Sequence, residues 1–419
     1  MKILFLTDNF PPEMNAPASR TYEHTREWVR AGHSVTVITC APNFPEGKVF
    51  DGYSNAWYRT EEMDGIKVIR VKTYITSNSG FAKRTLDYMS FMFMGFLAGL
   101  FQKRPDVIIG TSPQFFTVVG AWMLSVFKWR PFVFELRDLW PASIVTVGAM
   151  KEGLVIRFLK RVEMFLYRRA TAIVPVTRAF KQELISRGIE EGKIATVING
   201  VDQSRYKPAS KDSELLIQYG LEGKFVVGYL GTHGMAHALD KVLDAAIQLR
   251  DHKDIVFLFA GGGARRDTLL EKVNEHGLSN VVMLPPQPKA LMPRIWSLCD
   301  VSVVPLKNDP VFSTVIPSKI FECMGMGIPM IMSLPEGEAT AIISKTQTGV
   351  TIPPEQPAVL AETVLSLKNN SKKLDSMKAS CLHSAPLFER KKQALRMLKI
   401  LESVTEGRSK EIGSLVEPY

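Results

Sequence analysis

The chain has 419 residues, of which 46% are hydrophobic and 22% are charged, and its formal net charge is +10. This composition is ordinary for a globular protein. The chain is too long to fold around one small hydrophobic core, so two domains are expected. The positive charge favours anionic partners such as phosphorylated ligands or an anionic membrane face. Nucleic acid is not expected among them, because no basic segment interleaved with aromatic residues occurs.

Apolar segments that predict strands alternate with helical segments in the first half of the chain. The predicted strands lie at residues 2–7, 34–39, 66–71, 107–110, 132–135, 172–176 and 195–197. The predicted helices lie at residues 18–31, 86–101, 115–127, 154–169 and 178–187. This alternation is typical of a parallel sheet with helices on both faces. The apolar start, residues 3–6, is too short for the core of a signal peptide.

The predicted helix at 86–101 contains the longest apolar run of the chain, residues 88–101, and pairs of basic residues flank it at 83–84 and 103–104. A helix that spans a bilayer needs ~20 apolar residues, so this run is too short to cross one. It is compatible with a helix that lies on a membrane surface with snorkelling cations. It is equally compatible with a helix buried against a sheet, and the two interpretations combine if one face points inward and the other toward lipid.

The strand and helix alternation restarts in the second half. The predicted strands lie at residues 225–230, 256–260, 281–284, 301–305, 329–332 and 349–352. The predicted helices lie at residues 238–249, 266–276, 290–298, 318–324, 358–367 and 387–401. A polar, proline-containing link at 206–210 separates the halves, and the last dozen residues are typical of a tail.

We therefore predict an α/β protein with one domain at residues 1–205 and a second at 206–386. At 387–419 we predict a terminal helix that crosses back to the first domain, followed by a tail. Open α/β sheets bind ligands beyond the carboxyl ends of their strands. Two such sheets that face each other leave a cleft between them, so motifs that follow strands are the best candidates for a site.

The most informative motif lies at residues 316–329. Pro317 suits the first turn of a helix, and a helix begun there places Lys319 and Glu322 on one face. Its N-terminal amides and Lys319 would meet an anion, while Glu322 lies one turn deeper and accepts hydrogen bonds from hydroxyls. An anion beside hydroxyls describes the diphosphate and ribose of a nucleotide sugar. Gly325 and Gly327 are predicted to end the helix.

Two glycine-rich segments follow predicted strands of the second half. Gly231 and Gly234 lie in the first, and their spacing matches neither the dinucleotide fingerprint nor a P-loop. Gly263 lies in the second and is followed by Arg265 and Arg266. The first segment is either a plain tight turn or a backbone that approaches a phosphate, and the arginines are either a solvated helix start or a phosphate contact.

A charged segment follows the predicted strand at 132–135. Glu135, Arg137 and Asp138 either pair with one another for structural reasons, or Asp138 faces sugar hydroxyls or the reacting centre. No Asp-x-Asp, no His-Glu-x-x-His and no Cys/His cluster occurs in the chain, so no tightly held metal is expected. The four cysteines are far apart in sequence, which predicts no disulfide framework and fits a reduced, cytosolic compartment.

These motifs together resemble the family 4 retaining glycosyltransferases, which share the GT-B fold of two facing Rossmann-like domains. The resemblance rests on the order and spacing of segments 10–13, 32–37, 137–141, 199–202, 261–263, 299–301 and 317–329. The Arg-Asp-Leu-Trp-Pro and Pro-Ser-Lys motifs are similar to the branch that builds bacterial surface polysaccharides (O-antigen or capsule), including N-acetyl-fucosamine transferases. In the family a glutamate, seven residues and a second glutamate recur. Glu322 matches the second, which binds ribose, whereas Thr314 stands at the first.

The resemblance implies transfer of a sugar from a UDP-sugar with retained anomeric configuration and without a metal cofactor. Lys319 and Asp138 are then the expected catalytic residues. The expected donor-binding residues are Gly231, Gly234, Gly263, Arg265, Pro317, Ser318, Lys319 and Glu322.

The acceptor that the resemblance implies is a sugar linked to polyprenyl diphosphate, or a saccharide. The protein would then lie peripherally at the cytoplasmic face of the plasma membrane, and the acceptor-side contacts are expected at Asn15, Ser19 and Arg20.

Two other functions stay open at this point. A UDP-sugar epimerase uses the same pair of sheets, but it releases no UDP in proportion to turnover and needs no lipid acceptor. A membrane-docked protein that binds a nucleotide sugar without turnover is the second, and Thr314 at a usually acidic position is the feature that keeps it open.

Overall fold

In the computed structural model, which describes residues 1–13, 15–44, 46–76, 81–141 and 153–415, two α/β sheets organise the chain. The contacts divide it into two units, Met1–Asn199 with Arg390–Tyr419 and Gly200–Glu389. The predicted boundaries fall instead after residues 205 and 386. The first boundary lies earlier than predicted because residues 200–205 already belong to the second unit. The Val201 amide donates to the Phe388 carbonyl, and Tyr206 is buried in that unit. The predicted tail is wrong for its described part, because Ile412–Ser414 form a 3₁₀ helix and Ile412 is buried in the core of the first unit. Residues 416–419 lie outside the described residues.

The first unit contains a sheet of seven strands in the order β3-β4-β2-β1-β5-β6-β7, parallel except between β3 and β4. The strands are β1 Lys2–Leu6, β2 Ser34–Cys40, β3 Tyr58–Met63, β4 Ile66–Val71, β5 Val107–Thr111, β6 Phe132–Leu136 and β7 Ala172–Pro175. The helices are α1 Ala16–Arg30, α2 Phe81–Leu100, α3 Phe115–Lys128, α4 Leu154–Arg169 and α5 Arg178–Ser186, with the later α14 Arg390–Thr405.

Alternation along the strands divides the helices of this unit between the two faces of the sheet. In β1, Leu4 and Leu6 belong to the core that α2, α3, α4 and α5 cover, whereas Ile3 and Phe5 belong to the core under α1 and α14. The predicted strand at 195–197 is wrong, because this segment adds only two backbone hydrogen bonds beside β7, from Ala195 to Ile173 and from Val197 to Pro175. The antiparallel edge strand β3 was not predicted.

The second unit contains six parallel strands in the order β10-β9-β8-β11-β12-β13. The strands are β8 Phe225–Leu230, β9 Ile255–Ala260, β10 Val281–Leu284, β11 Val301–Pro305, β12 Met330–Ser333 and β13 Gly349–Ile352. The helices are α6 Ser213–Gln218, α7 Leu239–Gln248, α8 Arg266–Glu275, α9 Met292–Trp296, α10 Lys319–Met326, α11 Glu338–Thr346, α12 Pro357–Lys368 and α13 Ser371–Ser384. Buried apolar residues of β8, β9 and β11 form the core of this unit with α7 and α12.

Candidate active site

Two glycine-rich segments and the start of α10 lie near β8, where the strand order of the second sheet reverses direction. β8 lies between β9 and β11, and Gly231 follows β8 while Gly261 follows β9. After β11 the chain passes through a 3₁₀ helix, Pro310–Thr314, before it enters α10. Ligands of open α/β sheets bind at such a reversal, beyond the carboxyl ends of the strands. This position makes the start of α10 and the two glycine segments the candidate site.

Helix α10 begins at Lys319, and Ser318 is its N-cap residue without a side-chain capping bond. The predicted helix start at Pro317 is therefore wrong, because the helix begins two residues later and Pro317 precedes the N-cap residue. Gly327 ends the helix in a left-handed conformation with φ of 72°. Gly325, which was also predicted to end the helix, is buried inside it.

The Lys319 ammonium has no acceptor in the part of the chain that the structure describes. Its Nζ atom is buried and makes no hydrogen bond among the residues that the structure describes. It lies 3.6 Å from the centre of the Tyr229 ring, and the Tyr229 hydroxyl donates to the Thr232 carbonyl at 2.6 Å. An ammonium carries three donors, and burial without acceptors is costly. The arrangement is suited to an anion that supplies those acceptors.

The pKa of Lys319 is low, as expected for a buried ammonium without acceptors among the described residues. Burial lowers it to about 7, although Cys323 and Glu322 act to raise it. The unliganded site is therefore charged only in part at neutral pH. A bound diphosphate would restore the charged form, because an opposite charge at hydrogen-bond distance favours the ammonium.

The two glycine segments are in direct backbone contact. A Cβ atom on Gly261 would lie 1.9 Å from the Gly231 carbonyl oxygen, and Gly261 has a φ of 150°. The His233 amide donates to the Gly262 carbonyl at 2.8 Å, and the His233 carbonyl accepts from the Arg265 amide at 2.9 Å. Only glycine allows this close approach, so the backbone rather than the side chains shapes this part of the site.

The other predicted glycines differ in how strictly they are required. A Cβ on Gly263 would lie 2.7 Å from the His233 carbonyl oxygen, and one on Gly231 would lie 3.1 Å from Lys319 Nζ. A Cβ on Gly234 would meet only side chains, the nearest being His237 at 3.4 Å. The structure thus requires Gly263 more than Gly234.

Two histidines lie close to Lys319, and both are neutral at physiological pH. His233 is fully buried with no hydrogen-bond partner on either ring nitrogen among the described residues. Burial, then Arg266 and Lys319, lowers the pKa of His233 to about 4. Burial, then Lys319, lowers the pKa of His237 to about 3. Neither ring therefore supplies a positive charge to the candidate site.

The two arginines after Gly263 have different positions. Arg266 donates through Nη1 to the carbonyl oxygens of Gly261 and Leu284, at 3.2 and 3.0 Å, and so braces the glycine segment. Arg265 is the N-cap residue of α8, and its side chain makes no hydrogen bond or ion pair within the described part of the chain. Of the pair, Arg265 is the one left to contact a ligand.

Glu322 lies in the first turn of α10, and Trp296 fixes one of its carboxylate oxygens. The fully buried Trp296 donates from Nε1 to Glu322 Oε2 at 3.1 Å. The contact orients the carboxylate, which is suited to accept hydrogen bonds from a vicinal diol. This role of Trp296 was not predicted, and no sequence signal links a tryptophan to a glutamate on another helix.

Thr314 closes the 3₁₀ helix that leads toward α10. Its hydroxyl donates to the Val311 carbonyl at 2.7 Å. The residue thus has a local structural role, and it brings no carboxylate to the site.

In the first unit, Arg20 is buried rather than presented to a ligand. Its guanidinium donates to Glu135 at 2.8 Å and to the carbonyls of Val197 and Ile198, both at 2.8 Å. Burial opposes ionisation of Glu135, but the charges of Arg20 and Arg137 lower its pKa overall. The structural pairing considered for Glu135 is therefore observed, although its partner is Arg20. The predicted acceptor contact at Arg20 has no support from this geometry.

The other predicted residues of the first unit lie near the start of α1 and the end of β6. Asn15 caps α1 through its side-chain oxygen, which accepts from the Ala18 amide at 2.9 Å, and Ser19 lies in the first turn. Asp138 lies in the segment after β6, where its amide donates to Ser112 at 3.3 Å. Arg137 connects the two segments by donating to the Pro17 carbonyl at 3.2 Å. Asn15, Ser19 and Asp138 thus share one end of this sheet.

Neither a metal cluster nor a membrane-spanning helix occurs in the part of the chain that the structure describes. No three His, Cys, Asp or Glu side chains come together there in a way that would hold a metal ion. None of the described helices is long and apolar enough to traverse a bilayer.

Comparison with known protein families divides the chain in the same two parts. Residues 15–200 match the family described as Glycosyl transferase 4-like domain. Residues 213–380 match the family described as Glycosyl transferases group 1. The two matches together take in most of both units.

A relative in sequence and two solved structures with a similar fold illustrate what the chain resembles. WcaI of Escherichia coli, whose name assigns it to colanic acid biosynthesis as a glycosyl transferase, is 25% identical over 86% of this chain and 90% of its own. The fold is similar to sucrose-phosphate synthase from Thermosynechococcus elongatus, with a TM-score of 0.79, 15% identity and coverage of 97% and 99% of the two chains. It is also similar to Anabaena HepE in complex with UDP-glucose, with a TM-score of 0.71, 18% identity and coverage of 96% and 100%.

Proposed function

The chain belongs to the GT-B glycosyltransferases with a glycosyl transferase 4-like domain and a group 1 domain, and we propose that it uses a UDP-sugar as donor. The sugar would pass to a lipid-linked or saccharide acceptor. The sugar would be N-acetyl-fucosamine or a similar one, and the product would be a surface polysaccharide of the O-antigen or capsule type. WcaI supports the polysaccharide assignment, and the complex of HepE with UDP-glucose supports a uridine donor.

The observation that carries this proposal is the buried Lys319 ammonium, for which the described residues provide no acceptor. It lies beside glycine segments at the strand reversal, with the anchored Glu322 carboxylate in the first turn of the same helix. A diphosphate on Lys319 and the α10 start would supply the acceptors that the ammonium requires, and ribose hydroxyls would donate to the Glu322 carboxylate.

The proposed reaction retains the anomeric configuration. The bond between the anomeric carbon and the diphosphate oxygen breaks, and UDP leaves with the electron pair. The acceptor oxygen bonds to the anomeric carbon on the same face, and its proton passes to the departing diphosphate. Lys319, backbone amides and Arg265 would stabilise the charge that develops on the leaving group, and such stabilisation supplies much of the rate enhancement in many enzymes. No metal is required in this scheme, and a direct role for Asp138 at the reacting centre stays a prediction.

A panel of nucleotide sugars, each incubated with the protein and a polyprenyl-diphosphate-linked sugar, tests the proposal by mass spectrometry. One added sugar on the lipid, with equimolar UDP, is the expected result. A changed sugar nucleotide without UDP release would establish the epimerase instead. Binding of UDP with neither product, over single and multiple turnovers, would establish the non-catalytic binding protein.

We expect Glu322→Gln to reduce discrimination between UDP and its 2′-deoxy analogue. The wild-type carboxylate accepts from ribose hydroxyls, and hydrogen bonds to a charged group contribute ~1.5–3 kcal/mol each. UDP affinity should therefore fall by roughly 10- to 100-fold, while affinity for the 2′-deoxy analogue falls less. Trp296→Phe, which removes only the Nε1 donor at 3.1 Å, should give a smaller change in the same direction. Equal losses for both nucleotides, measured by calorimetry, would refute a ribose contact.

We also expect affinity for UDP to fall as the pH rises from about 7 to about 9. The pKa of Lys319 is about 7 in the unliganded protein, and only the ammonium pairs with diphosphate. Binding is then coupled to proton uptake, so Kd should rise by up to about tenfold per pH unit above neutrality. The Lys319→Met variant should bind weakly with a flat profile across this range. A flat wild-type profile would contradict the assignment.

A further inference from the structure

His237 lies in the glycine-rich segment that follows β8, at the carboxyl end of the strand where the order of the second sheet reverses. A backbone hydrogen bond joins this segment to the one after β11, because the Lys307 amide donates to the Ala236 carbonyl at 2.9 Å. The His237 side chain is half-buried, so a ligand at this edge of the sheet can reach its ring. The proposed reaction gives this ring no role.

The hydrogen bond between the His237 ring and the Pro305 backbone defines which form of the imidazole is present. Proline has no backbone N–H, so the Pro305 carbonyl accepts and a ring N–H of His237 donates. Burial, then Lys319, lowers the pKa of His237 to about 3, so the ring carries a single N–H at neutral pH. That N–H faces Pro305, and the other ring nitrogen is therefore a hydrogen-bond acceptor that cannot donate.

This acceptor nitrogen lies close to the Lys319 ammonium and has no donor of its own. Pro305 is the hydrogen-bond partner of the His237 ring within the described part of the chain. The centre of the His237 ring lies 6.0 Å from that of Tyr229, and Lys319 Nζ lies 3.6 Å from the same tyrosine ring centre. Around one tyrosine, the described residues thus leave an ammonium without an acceptor and an imidazole nitrogen without a donor.

The His237 ring has a defined position before any ligand binds. The His237 amide donates to the Gly234 carbonyl at 3.2 Å, and a Cβ on Gly234 would lie 3.4 Å from the ring atom Cδ2. The turn, the bond to Pro305 and the Tyr229 ring hold the imidazole together. Little ordering of this side chain is left to occur on binding, and such preorganisation favours affinity.

A ligand that satisfies both groups brings an acceptor and a donor on neighbouring atoms. Phosphate oxygens accept from the Lys319 ammonium, but at neutral pH a diphosphate ester offers no donor to the imidazole nitrogen. In a nucleotide sugar, the C2 group lies next to the anomeric carbon that carries the diphosphate. This group is a hydroxyl in a simple hexose and an amide N–H in an N-acetylated sugar, and both donate hydrogen bonds.

We propose that His237 is a specificity-determining residue that accepts a hydrogen bond from the C2 group of the donor sugar, a hydroxyl or an amide N–H. The inference rests on the proposed function, because it requires a nucleotide sugar whose diphosphate is bound at Lys319. It adds that the second unit recognises the transferred sugar as well as the nucleotide. A site that hydrogen-bonds a substrate group discriminates against the analogue without it, since its own polar group is then left unpaired.

Calorimetry with UDP, UDP-glucose, UDP-N-acetylglucosamine and UDP-2-deoxyglucose tests this inference without requiring turnover. The wild-type protein should bind UDP-glucose or UDP-N-acetylglucosamine about tenfold more tightly than UDP-2-deoxyglucose, and the preferred one identifies the source of the hydrogen bond. The His237→Phe variant keeps a planar ring without an acceptor. It should lose this preference, while its affinity for UDP changes less than about threefold. The His237→Gln variant retains an amide oxygen that accepts, so it should keep part of the preference.

His276 supplies the matched control, because it is an exposed histidine at the C-cap of α8. His276→Phe should bind all four ligands like the wild type. The inference is overturned if His237→Phe keeps the wild-type preference, if the wild type prefers neither sugar over the 2-deoxy analogue, or if UDP loses as much affinity as the nucleotide sugars. Wild-type protein that binds no UDP would instead overturn the proposed function on which the inference rests.

Discussion

Replacement of Lys319 by methionine should lower kcat for sugar transfer by about 10²–10³-fold and should at the same time stabilise the unliganded protein. The loss of rate follows from removal of a charged donor to the departing diphosphate. The gain in stability follows because the wild-type ammonium is buried without an acceptor, whereas methionine leaves no such group. A residue with only a structural role would change activity and stability in the same direction.

The stabilisation should depend on pH in a defined way. The pKa of Lys319 is about 7 in the folded protein, below that of an unfolded lysine near about 10.4, so the wild-type ammonium costs stability wherever the unfolded lysine is charged. The advantage of Lys319→Met is thus complete below about pH 7 and disappears toward about pH 10. Thermal unfolding of both proteins across this range measures it, with Lys345→Ala, an exposed lysine on α11, as the control. A variant less stable than the wild type at neutral pH would contradict the account of this lysine.

Replacement of Gly261 by alanine should abolish donor binding and destabilise the second unit. The new Cβ would lie 1.9 Å from the Gly231 carbonyl oxygen. The backbone fixes the positions of both atoms, so no side-chain rotation relieves the overlap. One of the two glycine segments has to move, and the φ of 150° adds strain for any side chain. We expect a loss of about 2–4 kcal/mol in the free energy of unfolding and no measurable UDP binding by calorimetry.

Gly277 supplies the matched control for this substitution. It also has a positive φ, of 56°, but a Cβ there would meet nothing within 4 Å. Gly277→Ala should therefore show the backbone strain alone, about 1 kcal/mol, and should bind UDP normally. If Gly261→Ala bound UDP as well as Gly277→Ala, the contact between the two glycine segments would not matter for the site.

The parallel strands were predictable because they are buried on both faces. Strands β1, β5 and β8 are continuous apolar runs, and such runs between helices are typical of α/β sheets. Strand β3 escaped prediction because its sequence is polar and its side chains are largely exposed at the edge of the sheet. Local pattern therefore predicts the strands that the core surrounds, and misses one that only pairs with a neighbour.

The sequence indicates residues of the candidate site but not the contacts that they make. The motif at 316–329 led to Lys319 and Glu322, because a lysine and a glutamate at a helix start have a recognisable chemistry. Nothing in the sequence indicates that Tyr229 lies over the Lys319 ammonium or that Trp296 holds Glu322. Both contacts join segments that are distant in sequence, so they follow from tertiary packing alone. Arg20 was predicted as an acceptor contact but is buried in an ion pair with Glu135. The sequence does not indicate this pair, because Glu135 lies in β6, far from Arg20 along the chain.

A crystal structure of the protein with UDP tests the central claim most directly. We expect a diphosphate oxygen within hydrogen-bond distance of Lys319 Nζ, beside Gly231 and Gly263, and the ribose hydroxyls on Glu322. A nucleotide bound elsewhere, with the Lys319 ammonium still without an acceptor, would contradict the account.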